Sequence, residues 1–132
     1  MTRKAGRILL TCVILVLWLA ATPAADDKAR KFPDVVGAKV RANGDKKFDF
    51  DVTIASPYDT PQRYADGFRV MNADGRVYGE RELLHDHADE QPFTRDLYGV
   101  TIPLDVKSVV IQARDQKYGY GGKTFKISLP GR

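Results

Sequence analysis

Lys47-Phe48-Asp49-Phe50-Asp51-Val52-Thr53-Ile54 is the stretch that decides the fold. Phe48, Phe50, Val52 and Ile54 point one way, and Asp49, Asp51 and Thr53 point the other. Side chains alternate across an extended strand, so this spacing predicts one buried face and one wet face, the mark of an antiparallel sheet. Just upstream, Asn43-Gly44-Asp45 is a hairpin turn whose residues tolerate positive φ. Before that turn, Val36, Ala38 and Val40 alternate with Gly37, Lys39 and Arg41, which predicts a partner strand facing the core through the first set.

Downstream the same period recurs. A polar loop at 56–63 leads to a strand in which Tyr64, Phe68 and Val70 alternate with Arg69. Asn72-Ala73-Asp74-Gly75 turns the chain into a strand over 76–84, and a histidine-bearing loop follows at 85–92. Residues 93–102 read as one longer strand or two short ones broken near Gly99, and Pro103 to Lys107 turn again. Val109, Ile111 and Ala113 begin the next strand. The glycine-rich segment Tyr118-Gly119-Tyr120-Gly121-Gly122 joins it to Phe125, Ile127 and Leu129. No segment carries a helical repeat. About seven short strands at spacings of about 8–12 residues predict an all-β, immunoglobulin- or fibronectin-III-like antiparallel sandwich over 34–132.

The first residues read differently. Arg3, Lys4 and Arg7 precede an apolar run from Ile8 to Ala21, and Thr22-Pro23-Ala24 supplies small residues for cleavage. That order predicts a secretory signal peptide over 1–24. The apolar run is shorter than the ~20 residues of a membrane span, so cleavage is expected and no membrane attachment afterwards. A polar lead-in follows at 25–33. The one cysteine, Cys12, lies inside the signal. It follows Thr11 near the start of the apolar run, which argues against lipidation. Cleavage therefore leaves no disulfide, thiolate ligand or cysteine nucleophile. It also removes Arg3, Lys4 and Arg7, so the net +4 of 21 basic against 17 acidic residues becomes 18 against 17. A near-neutral chain lacks the clustered basic excess of a nucleic-acid binder. The expected location is periplasmic or secreted.

The string Leu83-Leu84-His85-Asp86-His87-Ala88-Asp89-Glu90-Gln91-Pro92-Phe93-Thr94-Arg95, with Tyr118-Gly119-Tyr120-Gly121-Gly122-Lys123-Thr124 downstream, resembles small exported bacterial immunoglobulin-like proteins of unknown function. The resemblance spans most of the chain after the signal and implies no activity.

Connections in an antiparallel sandwich alternate between its two ends. The turns at 43–45, 72–75 and 103–107 then fall at one end, and the loops at 56–63, 85–92 and 115–122 at the other. The second set is longer and carries Tyr58, Asp59, Arg63, His85, His87, Glu90, Tyr118 and Tyr120. Loops held by a rigid scaffold are where binding is usually found. Tyr58, Arg63, Tyr118 and Tyr120 are the candidate contacts for a protein, peptide or glycan. His85 and His87, at i and i+2, can offer two imidazoles to one ion, with Asp89 or Glu90 as a third contact. That donor set takes zinc or copper(II). Against it stands a plain solvated loop, because a closed zinc site needs further ligands. Asp49, Asp51, Glu80 and Glu82 read as solubilising charges. Nothing near Ser56 or Ser108 activates a nucleophile, and the glycine-rich segment lacks the strand-to-helix context of a phosphate loop. The expectation is an exported, non-enzymatic binding module without a cofactor. The alternative is an envelope metal-binding protein using His85, His87 and Glu90.

Overall fold

The computed structural model describes residues 30–132 together with Thr2. The signal peptide expected over 1–24, and the first part of the lead-in, lie outside the described residues. Eight strands run in chain order: β1 Asp34–Ala42, β2 Lys47–Ala55, β3 Ala65–Met71, β4 Val77–Glu82, β5 Phe93–Thr101, β6 Ser108–Asp115, β7 Gly119–Tyr120 and β8 Phe125–Ser128. Among the described residues there is no helix. One sheet has the order β1-β2-β5, and the other runs β4-β3-β6 with β7 and β8 both paired to the free edge of β6. All pairings are antiparallel. Strands β7 and β8 are two halves of one interrupted strand, so seven strand positions build the sandwich expected from the alternation. The chain crosses between sheets after β2, β4 and β5.

The alternation in β2 produces the core. Phe48, Phe50, Val52 and Ile54 are fully buried, and from the facing sheet Phe68, Val70, Val109, Ile111 and Ala113 meet them. Four buried phenylalanines, Phe48, Phe50, Phe68 and Phe93, are the largest side chains there. Each buried aromatic ring contributes about 2–3 kcal/mol relative to exposure.

Two strands depart from simple alternation, both at bulges. The register of β1 on β2 shifts between Val35 and Gly37, which turns Val35 inward and leaves Val36 46% exposed. The expected inward set of Val36, Ala38 and Val40 thus keeps Ala38 and Val40 against the core and exchanges Val36 for Val35. The segment at 93–102 is one strand, with a register shift opposite Phe48 and Phe50. Gly99 sits in that bulge at φ 67°, a conformation that disfavours a side chain, and its N–H donates to Asp49 Oδ1 at 2.8 Å. Asp49 also accepts from the Asn43 amide and faces Arg41. It is therefore a buried anchor of the bulge rather than a solubilising charge.

One end of the sandwich is tight. Ile102 N–H donates to the Lys46 carbonyl, Asn72 Oδ1 accepts from Asp74 and Arg76 N–H, and the Arg132 guanidinium donates to the carbonyls of Ile102, Pro103 and Val106. The longer loops lie at the opposite end.

Candidate functional site

Two buried aspartates tie the long loops together. Asp115 ends β6 at an inward position of the series Val109, Ile111, Ala113, and it is fully buried. Its carboxylate accepts from the Tyr58 hydroxyl at 2.7 Å, from Arg63 Nε at 3.2 Å, and from the N–H groups of Lys117 and Tyr118 at 2.9 and 2.8 Å. Burial alone would raise this carboxyl, but those donors outweigh it and hold the group below the ordinary carboxylate range. The 56–63 loop is thereby joined to the β6–β7 turn. Asp59, also buried, accepts from Ala65 N–H at 3.0 Å and His87 N–H at 3.1 Å, joining the same loop to the 85–92 loop. Gln91 adds a second link, accepting from Ser56 N–H and donating to the His87 carbonyl. Burial pushes the Asp59 carboxyl up, against the pull of the two N–H bonds and Ser56.

Arg63 lies in the middle. Its guanidinium stands 4.3 Å from the Tyr58 ring centre and 4.9 Å from that of Tyr118, and it donates to the Arg30 carbonyl at 2.6 Å. The end of the lead-in is thus drawn into this end of the fold. Phe32 meets the Tyr118 ring edge-on at 6.3 Å and packs on Gly121, where any Cβ would strike the Phe32 ring. That close approach accounts for one glycine of the Tyr-Gly-Tyr-Gly-Gly segment. Lys31 and Lys117 flank the Tyr118 ring at 5.7 and 5.2 Å.

The residues singled out in the sequence fall into three places. Arg63 and Tyr118 stand together at the loop end, with Tyr118 43% exposed. Tyr58 is there too, but buried: its ring and hydroxyl support Arg63 and Asp115 instead of offering surface, and burial with the neighbouring Asp115 carboxylate raises the phenol. Tyr120 is elsewhere. It belongs to β7, half-buried on the outer face of the four-stranded sheet, with its hydroxyl 3.4 Å from Glu80 and Arg69 lying 3.9 Å over its ring.

His85 and His87 do lie side by side, ring centres 4.7 Å apart. His87 is buried and stacks on Phe93 at 4.0 Å and 10°, and neither ring nitrogen has a hydrogen-bond partner. Burial, then Arg95 and His85, lower its pKa and keep the ring neutral near pH 7. His85 is exposed, with Nδ1 2.8 Å from the Asp86 carbonyl. Glu90 is engaged by Arg95 at 3.1 Å, which holds its carboxyl low. Among the described residues no group of three or more His, Cys, Asp or Glu side chains is placed to hold a metal ion.

No family model matches the chain, and no solved structure matches it. It is similar to a protein from Halomicrobium mukohataei named "Putative lipoprotein", with 34% identity over 94 residues. The match covers 71% of this chain and 46% of that protein, so the chain spans about half the length of the curated relative it matches.

Proposed function

We propose that this chain is an exported envelope protein whose β-sandwich is a non-catalytic binding module, presenting a partner surface at the end formed by the 56–63, 85–92 and 115–122 loops. The observation that carries the reading is the pair of buried aspartates. Asp59 and Asp115 lock three loops to one another, with Arg63 packed between them, and leave Tyr118, Leu84 and His85 facing outward on a fixed frame. A surface already ordered before contact avoids the entropy cost of ordering at binding, about 0.5–1.5 kcal/mol per side chain. The lipoprotein name of the relative supports export to the envelope, as do the basic, apolar and small-residue segments of 1–24. A photo-crosslinking residue at Tyr118 or Leu84, compared with one at Leu104 on the tight end, tests the reading in producing cells. The same crosslinked species from Tyr118 and Leu84 and none from Leu104 supports it; capture from Leu104 alone contradicts it.

A second reading is favoured by one observation, the two unpartnered nitrogens of buried His87 beside His85. In it, zinc or copper(II) takes both imidazoles, with water completing the shell. Calorimetry with each metal on the wild type and on His85→Ala decides it. Binding tighter than about 10 μM that is lost in the variant supports a site, and anything weaker than that, roughly −7 kcal/mol, rejects it.

A further inference from the structure

The seam between the two sheets opens into a cleft at the tight end of the sandwich. Strand β5 is the edge of one sheet and β4 the edge of the other. Along the middle of the seam these edges close on each other. Arg81 of β4 donates across it to the Asp96 carbonyl and carboxylate at 2.8 and 2.7 Å. Gly79 lies so near β5 that any Cβ would stand 3.2 Å from the Val100 side chain. Toward the tight end the pairing then slips. Val70 pairs with Gly79 and Met71 with Val77, so Tyr78 is an extra residue in a bulge. Such bulges re-aim side chains at a sheet edge. Arg76, Val77 and Tyr78, from the start of β4 and the turn before it, line the cleft together with Thr101 and Pro103 at the end of β5 and Lys46 of the β1–β2 turn. Its volume is about 380 Å³, within the span of small-ligand sites.

The backbone acceptors around this cleft are spent, and its side-chain donors are free. The Ile102 and Pro103 carbonyls accept from Arg132, the Lys46 carbonyl from Ile102 N–H, and the Arg76 carbonyl from Asn72 N–H. Among the described residues no carboxylate lines the cleft. Asp45 lines a separate hollow beside Arg132, and Asp74 and Asp105 lie exposed in the flanking turns. The donors are the Arg76 guanidinium, the Lys46 ammonium and the hydroxyls of Tyr78 and Thr101. None of these side chains has a hydrogen-bond or ion-pair partner among the described residues, and Lys46, Arg76 and Thr101 are exposed. The two positive charges are not cancelled within the cleft, so its field gathers anions. A carboxylate, with one charge and two oxygens, would leave donors unused. A phosphate monoester carries a charge of about −1.5 to −2 at pH 7 and three acceptor oxygens. A guanidinium takes two such oxygens at once, and the ammonium and hydroxyls supply donors for the rest. Val77 and Pro103 give an apolar wall to the group that bears the phosphate.

We infer that this cleft binds a phosphate monoester, with Arg76 and Lys46 pairing with its oxygens and Tyr78 and Thr101 donating to them. Titration of the full chain with phenyl phosphate, followed by amide NMR shifts and calorimetry, tests it. The Val77, Tyr78 and Thr101 amides shift, with a dissociation constant below about 1 mM that rises as salt is added. Arg76→Gln and Lys46→Gln each weaken binding by about tenfold or more, and Lys117→Gln at the loop end leaves it unchanged. Both cleft variants alter exposed side chains without partners, so their melting temperatures stay at the wild-type value. Phosphatidylcholine vesicles containing phosphatidic acid form the second arm. Binding of these vesicles in place of phenyl phosphate, lost in the same two variants, makes the source a lipid headgroup. The inference is overturned if neither probe binds, if binding survives in Arg76→Gln, or if benzoate binds as tightly as phenyl phosphate. None of these results bears on the loop-end surface, which lies at the other end of the sandwich.

Discussion

Replacing Asp115 by alanine removes the acceptor on which the Tyr58 hydroxyl, Arg63 and two backbone N–H groups converge. The Lys117 and Tyr118 N–H groups lie in an exposed turn, where water replaces the lost bond at little cost. Tyr58 is 6% exposed and Arg63 is packed between two rings, so these two groups lose a partner that water cannot readily supply. A buried donor left unsatisfied costs about 1–3 kcal/mol, and removing one partner of a buried ion pair about 3–5 kcal/mol. Because Arg63 keeps some solvent contact, the lower part of that range applies, and the expected loss is about 3 kcal/mol. For a domain of this size that lowers the melting temperature by roughly 12–24 °C. Urea unfolding followed by far-ultraviolet circular dichroism measures it as a fall in midpoint at unchanged slope. Asp51→Asn, a change on the wet face of β2, is the control and stays within about 0.5 kcal/mol. A loss below 1 kcal/mol for Asp115→Ala would refute the view that this carboxylate clamps the loop end.

Acid acts through two groups. His87 has a lowered pKa in the fold, so the unfolded chain binds its proton first, and stability falls as pH drops below about 7 toward 5. His87→Leu flattens that part of the stability profile, and a profile as steep as the wild type refutes the assignment. Asp115, held low, contributes stability above the ordinary carboxylate range that is lost as pH falls below about 4; Asp115→Asn removes that acid limb in the same titration. Gly121→Ala sets a methyl against the Phe32 ring, and by overpacking costs about 1–3 kcal/mol. Its distinguishing sign is faster proteolysis around residues 30–33 with the core still folded. Phe50→Ala, in the centre of β2, costs about 3–5 kcal/mol in the same urea assay.

Much of the fold is written in the period of β2, because a sheet with one buried face leaves a two-residue alternation that no other element imitates. The ends of the sandwich are legible for the same reason: once strands alternate in direction, loops sort themselves into two groups. Bulges are not. Val36 and Val35 are both valines, and only the register shift against β2 decides which one enters the core. The bulge at Gly99 likewise turns Asp49 from a wet-face charge into a buried acceptor. Tyr58 and Tyr120 show the limit for the site. Both are tyrosines in or beside loops, yet one is buried under Arg63 and the other belongs to a sheet face, because β7 continues pairing with β6 past the turn. Asp115 did leave a trace. It occupies the next inward position after Val109, Ile111 and Ala113, where an acidic residue survives only if several donors meet it.

Hydrogen exchange at four amides tests the central claim, that the loop end is a locked surface, most directly. Ala65 and His87 N–H are bound by Asp59, and Lys117 and Tyr118 N–H by Asp115. In the native protein all four exchange far more slowly than free loop amides, and Asp115→Ala, which removes the acceptor, releases Lys117 and Tyr118 while Ala65 and His87 stay protected. Exchange of all four at free-chain rates in the wild type would contradict it.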